Sequence, residues 1–186
     1  MRAPYEPYYA QGPLIQLDQN VCIVGHRGAR ADRVVRYLGA SLGLRYSILD
    51  ELVAHSVGQD AHRFIAASGL SAYRAIERDV LRRLVDEQPY GLIAAASDAL
   101  SGFSASWQIR RRIKTVWLDM SLGRLVAGAR KDPRIYPGLP LDVTEDAMQA
   151  YLDDTWGGRG ADVRIEMSEG DESVTAKALI ERMGWG

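Results

Sequence analysis

Residues 21–32 run Val21-Cys22-Ile23-Val24-Gly25-His26-Arg27-Gly28-Ala29-Arg30-Ala31-Asp32, the order of an apolar strand, a glycine-bearing loop and a helix start. Such a loop can cradle phosphate, because backbone N–H groups and the positive end of the helix dipole converge on one anion. A loop that works on nucleotides reads G-x-x-x-x-G-K-[ST], its lysine reaching the β/γ-phosphates and its hydroxyl holding magnesium. Counted from Gly25, Arg30 replaces the second glycine, Ala31 the lysine and Asp32 the hydroxyl. The lysine's cation is gone, Asp32 adds an anion where phosphate would sit, and the Arg30 Cβ crowds the turn. A loop lysine cannot be borrowed from a neighbouring position, since the only lysines are Lys114, Lys131 and Lys177. Binding of ATP and magnesium is therefore expected to be weak or absent, and no cofactor or metal site is expected.

Other residues could act on a small molecule. His26, in the loop, is a candidate acid/base or anion contact, or an ordinary loop histidine. Asp50, Arg74 and Glu77 read two ways: as a helix N-cap with an i,i+3 ion pair, or as groups lining a pocket. Asp98 is a candidate catalytic or hydroxyl-binding acid, or the N-cap of a helix after strand Leu92–Ala95. His55 and His62 match no metal-ligand spacing and read as surface residues. Arg110-Arg111-Arg112 reads as a solvated edge, and the four tryptophans form no stacking platform. No Ser-His-Asp signature, zinc pattern or G-x-G-x-x-G is present.

The elements around these residues alternate. Strands are predicted at Val21–Val24, Tyr46–Leu49, Leu92–Ala95, Thr115–Leu118 and Val163–Met167. Helical spacing is predicted over Ala31–Leu42, from Asp50 as N-cap, and over Ala61–Ala67, Leu70–Val85, Leu122–Arg130, 144–154 and Glu172–Met183. This alternation predicts an α/β fold of three layers, α/β/α, around a central parallel sheet. Residues 1–20, with three prolines and three tyrosines, read as an extended arm, residues 21–186 as one domain, and the Pro- and Gly-rich stretch from about 131 to 160 as a lid. A net charge of −1 gives no reason to expect nucleic acid, and no stretch is long and apolar enough for a membrane span. One cysteine, Cys22, and no leader pattern point to a reducing, cytoplasmic setting.

The order of these landmarks resembles the shikimate kinase family of small P-loop kinases, from about Val21 to the C-terminal helix. Four pieces carry the resemblance: Val21–Leu42; Tyr46-Ser47-Ile48-Leu49-Asp50-Glu51-Leu52, similar to F-x-D-x-D-E-L; Tyr73-Arg74-Ala75-Ile76-Glu77, similar to F-R-x-x-E; and Thr115-Val116-Trp117-Leu118-Asp119, similar to V-V-W-L-D. The resemblance implies that Asp50 meets substrate hydroxyls, that Arg74 pairs with a substrate carboxylate and that Glu77 orients Arg74. It also implies that Arg134 is the lid arginine, with Arg159 the nearest candidate for a second. The departures fall on the catalytic centre: Arg30, Ala31 and Asp32 in the loop, Ile48 in place of a metal-holding acid, and Ala96-Ser97-Asp98 in place of a glycine triplet.

The expectation is a kinase-like protein without phosphoryl transfer that holds a small hydroxy-acid or a protein partner, a second copy of the chain included. The alternatives are an ATP-independent acid/base enzyme using His26, Asp50, Arg74 and Asp98 on a cyclic hydroxy-acid, an interaction protein with a vestigial pocket, and a kinase with a non-standard loop.

Overall fold

The computed structural model describes residues 15–88, 90–101, 103–132, 136, 139–140, 142–167 and 172–185, with the backbone alone for 103–106. Strand β1, Asn20–Gly25, is buried along its whole length. Val21 and Ile23 pack against Val34, Val35, Leu38 and Leu42 on one face, whereas Cys22 and Val24 meet Leu49, Val53, Tyr73 and Leu81 on the other. A strand covered on both sides is what a near-continuous apolar run encodes.

The remaining elements follow as α1 (Ala31–Leu42), β2 (Tyr46–Ile48), α2 (Leu49–Val57), α3 (Ala61–Ser68), α4 (Leu70–Glu87), β3 (Leu92–Ala96), a 3₁₀ turn (Ser97–Leu100), α5 (Phe103–Arg110), β4 (Ile113–Asp119), α6 (Leu122–Lys131), α7 (Glu145–Asp153), β5 (Val163–Glu166) and α8 (Glu172–Met183). The sheet order is β2-β3-β1-β4-β5, with every pairing parallel. Helices α1 and α8 cover one face; α2, α4 and α5 cover the other. This is the three-layer α/β fold expected. A third apolar cluster joins α6 and α7 through Leu125, Val126, Met148 and Leu152, with Tyr136 and Val143 inside it. In register, Gly25 of β1 lies beside Ala96 of β3 and Leu118 of β4, so the segments after these three strands leave the sheet side by side. Ligands of parallel α/β sheets bind at such strand ends.

Several local expectations are corrected. Residues 1–14 lie outside the described residues, but Ile15 and Leu17 already pack on the core and Asn20 belongs to β1, so the arm cannot extend to residue 20. Asp50 is not an N-cap: α2 starts at Leu49 behind Ile48, and Asp50 sits in the first turn. Helix α5 was not foreseen, because Phe103-Ser104-Ala105-Ser106-Trp107 lacks a helical apolar stripe. The arginine run is not simply a solvated edge. Arg110 lies 4.6 Å over the Trp156 ring and donates to the carbonyls of Arg159 and Gly160, and Arg112 pairs with Asp86. Arg134 lies outside the described residues. Thr144 does cap α7, accepting from the Ala147 N–H at 3.2 Å. Among the described residues no helix is long and apolar enough to cross a membrane, and no metal-binding group of His, Cys, Asp or Glu occurs. Burial pushes the Cys22 thiol up to about 12, so it is inert.

Candidate functional site

The loop keeps the shape of a phosphate cradle while its side chains do something else. A Cβ on Gly25 would stand 2.7 Å from that of Ala29, so the loop closes tightly only on glycine. Arg30 has φ +54°, the only positive φ among the described non-glycine residues. The left-handed turn that a glycine would make is therefore retained, at a cost of about 1–2 kcal/mol in an L residue. Asp32, half-exposed at the start of α1, is 3.6 Å from Arg30 Nε.

Arg27 turns inward, and each of its nitrogens meets a different carboxylate. Its Nε donates to Asp98 Oδ2 at 2.7 Å, its Nη2 donates to Glu77 Oε1 at 2.7 Å, and its Nη1 lies 3.6 Å from Asp50 Oδ1. The guanidinium also sits 5.5 Å over the Tyr73 ring, whose hydroxyl donates to Asp50 Oδ1 at 3.3 Å. Arg74 donates through Nε and Nη2 to Asp98 Oδ1, at 3.1 and 2.9 Å. Glu77 is 0 % exposed and Asp98 is 1 % exposed. The three carboxylates thus come from α2, α4 and the 3₁₀ turn and converge on one loop arginine.

This wiring replaces the pairing that the resemblance implied. Glu77 does not orient Arg74; it binds Arg27, and Asp98 orients Arg74. Asp98 is neither an N-cap nor an available acid, since it is the second residue of the 3₁₀ turn with both oxygens taken by guanidiniums. Asp50 keeps a 52 % exposed side chain and is the acid of the cluster that still faces solvent.

The electrostatics follow from three acids sharing two cations. Burial works against the Arg27 charge, but Glu77, Asp50 and Asp98 outweigh it and hold the guanidinium protonated well above its ordinary range. Burial pushes the Glu77 carboxyl up to about 8; Arg27 opposes the shift, whereas Asp50 and Asp98 add to it. Folded Glu77 thus keeps its proton to about pH 8 while the unfolded side chain releases it near 4.5. The folded state binds more protons in that window, so the Glu77 contribution to stability is full below it and falls as pH rises through it. In Glu77→Gln this decline is expected to vanish from unfolding free energies measured by urea titration across the window; an unchanged slope would assign it to another group.

His26 stands beside the cluster. Its Nδ1 is 3.2 Å from Ser97 Oγ and 3.4 Å from Thr155 Oγ1, and its ring meets Trp117 edge-on at 4.9 Å. Burial lowers its pKa, with Asp98 and Asp119 pulling the other way, so the imidazole is held neutral. His26 lines a cleft of about 470 Å³ with Met120, Leu122, Leu125, Gln149 and Trp156. Arg159 borders the same cleft. His55 and His62 are exposed, away from this constellation.

Sequence reasoning missed Arg27 as the hub, and Tyr73, Ser97 and Thr155 as its surroundings. One signal was available: a basic residue gained in the loop and an acidic one gained after β3 are complementary, and the parallel register makes those positions neighbours.

A sequence model described as shikimate kinase matches residues 28–179. A shikimate kinase of Caulobacter vibrioides is 30% identical over 165 residues, covering 87% of this chain and 80% of that protein. Among solved structures, shikimate kinase from Acinetobacter baumannii in complex with shikimate aligns with a TM-score of 0.75 at 19% identity, over 95% of this chain and 96% of that one. Shikimate kinase from Aquifex aeolicus aligns with a TM-score of 0.71 at 18% identity, over 89% of this chain and 96% of that one. A match over most of the length, joined to the phosphate-loop shape and the 2-3-1-4-5 parallel sheet, leads to one conclusion: the chain belongs to the shikimate kinase family.

Proposed function

We propose that this member of the family binds a small hydroxylated molecule and does not transfer phosphate to it from ATP. The observation that carries the reading is the inward Arg27 guanidinium, engaged with Glu77, Asp98 and Asp50 rather than available to a phosphate. Phosphoryl transfer depends on positioning and on cations set against the transferring group. Here Ala31 offers no cation, Asp32 adds an anion, and the 7 % exposed Ile48 stands in the core where a metal-holding acid would be needed. The cleft beside His26 supports a retained binding role, because its volume lies in the range of small-molecule sites and its lining mixes apolar floor with polar edge.

ATP with magnesium is accordingly expected to leave the melting temperature unchanged, and a coupled assay with shikimate to release no ADP. Shikimate-dependent ADP release, or a nucleotide-induced rise of several degrees, would overturn the reading.

The alternative of an ATP-independent acid/base enzyme is favoured by one observation: His26 is neutral, fixed by two hydroxyls and borders the cleft. Its mark would be nucleotide-free turnover of a cyclic hydroxy-acid that is lost in His26→Ala.

A further inference from the structure

The net charge of −1 conceals two surfaces of opposite sign. Helix α7 and its flanks carry Asp142, Glu145, Asp146, Asp153 and Asp154, all exposed, and no lysine or arginine occurs from Asp142 to Gly158. Asp142, Glu145, Asp146 and Asp154 have no ion-pair partner among the described residues, and Asp153 accepts from Gln149 of its own helix at 2.7 Å. Glu145 and Asp146 suit the positive end of the helix dipole. Asp153 and Asp154 stand at the opposite end, where a cation is favoured.

Positive charge gathers at a groove of about 410 Å³ between α4 and α5. Arg78, Arg82 and Arg112 line it with Asp79, Asp86 and the buried Ile109. Asp79 pairs with both Arg82 and Arg83, and Asp86 with Arg112, so Arg78 has no acid among the described residues. Arg111 lies 4.5 Å over the ring of Trp107, which is 53 % exposed on α5. With Glu87 at the end of α4 included, Arg78, Arg82, Arg83, Arg111 and Arg112 still outnumber the acids on this side. An exposed tryptophan beside surplus arginine is the composition of a protein contact anchor.

We propose that α7 of one molecule docks in the α4–α5 groove of a second copy of this chain. The two stripes match in pitch. Along α4 the groove is lined by Ala75, Arg78, Asp79, Arg82 and Asp86; Asp142, Glu145, Asp146, Gln149 and Asp153 repeat that spacing on and just before α7. Residues three and four apart share a helix face, so one arginine per turn meets one acid or amide per turn. Docking brings cations to Asp153 and Asp154, and Gln149 has a second N–H for an aspartate of the groove. A nucleic acid has the opposite fit, because its phosphates would lie against Asp79 and Asp86 without such a donor. Single exposed ion pairs contribute little, so the contact needs several at once and weakens with salt. It does not depend on the small-molecule reading.

The test is sedimentation of the full chain at up to about 1 mM, the range of weak specific contacts. Association is expected at about 10 mM salt and its loss at about 1 M, as the screening length falls from about 30 Å to about 3 Å. A groove variant, Arg78→Glu with Arg82→Glu, and a helix variant, Asp146→Lys with Asp153→Lys, should each associate about tenfold or more weakly. Mixed in equal amounts the two should associate again, because each groove then finds a helix of opposite charge. A parent chain that stays monomeric at low salt overturns the proposal; an oligonucleotide held by that monomer and released by the groove variant would assign the groove to nucleic acid. Association that survives either charge reversal overturns this surface. A mixture that stays apart, from variants that melt like the parent, overturns the pairing of α7 with the groove. If either variant melts lower, Arg78→Gln and Asp146→Asn decide, and unchanged association in both overturns the proposal.

Discussion

Arg27→Ala is expected to destabilise the folded protein by about 3 kcal/mol, because Glu77 loses its hydrogen-bond partner and Asp98 one of its two guanidiniums in a buried network. Glu77 and Asp98, at 0 % and 1 % exposed, depend on this side chain, and Asp50 lies 3.6 Å from it. Removing Arg27 leaves Arg74 to Asp98 but leaves Glu77 with no cation. A typical domain is stable by only about 5–15 kcal/mol, so a large part of the margin would go. Arg27→Lys is expected to recover little, because one ammonium cannot address three carboxylates in three directions. The loss should depend on pH. Glu77 keeps its proton to about pH 8 in the parent, and without Arg27, which opposes that shift, it keeps it to higher pH, so the difference from the parent protein is flat below about pH 8 and grows above it. Urea denaturation at about pH 7 and at about pH 9.5 measures it. A loss below about 1 kcal/mol at both would mean that the cluster behaves like exposed surface ion pairs.

The fold was legible because its signals are local. Apolar runs mark β1, β3 and β4, and a 3.6-residue stripe marks α1, where Val34, Val35, Leu38 and Leu42 are all buried. Gly43 ends that helix at φ +66°, as a C-cap glycine should. The centre of the site was less legible because its pairs are remote: Arg27 is 50 positions from Glu77 and 71 from Asp98. Sequence spacing favoured the nearby pair Arg74–Glu77 instead. The stripe of α4 held the contrary information. Tyr73, Glu77, Val80, Leu81 and Leu84 share its buried face, so Glu77 falls where an apolar residue is expected. A carboxylate in such a stripe requires a cation from another element, whereas Arg74, one position off the face, was free to meet Asp98.

Asp98→Ala provides the complementary test of the same centre, with the charge sign reversed. It leaves Arg27 and the 18 % exposed Arg74 without their shared acid, and an expected loss of about 3 kcal/mol follows from stranding buried guanidiniums. Both cations then face a vacated carboxylate position, so formate should restore much of the lost stability, while chloride at equal ionic strength should not, because only a carboxylate reproduces the two-oxygen bridge. In the Arg27→Ala, Asp98→Ala double variant the combined loss should fall short of the sum of the single losses by about 1–3 kcal/mol, since residues in one ion network are not additive. Additive losses, or equal rescue by formate and chloride, would show that Asp98 is held by packing rather than by the arginines. Specific rescue would mean that the two arginines form a working carboxylate site, occupied in the native protein by Asp98. That outcome would support the reading that Asp98 holds, in this chain, the carboxylate place beside Arg74 that the family resemblance implies for a substrate.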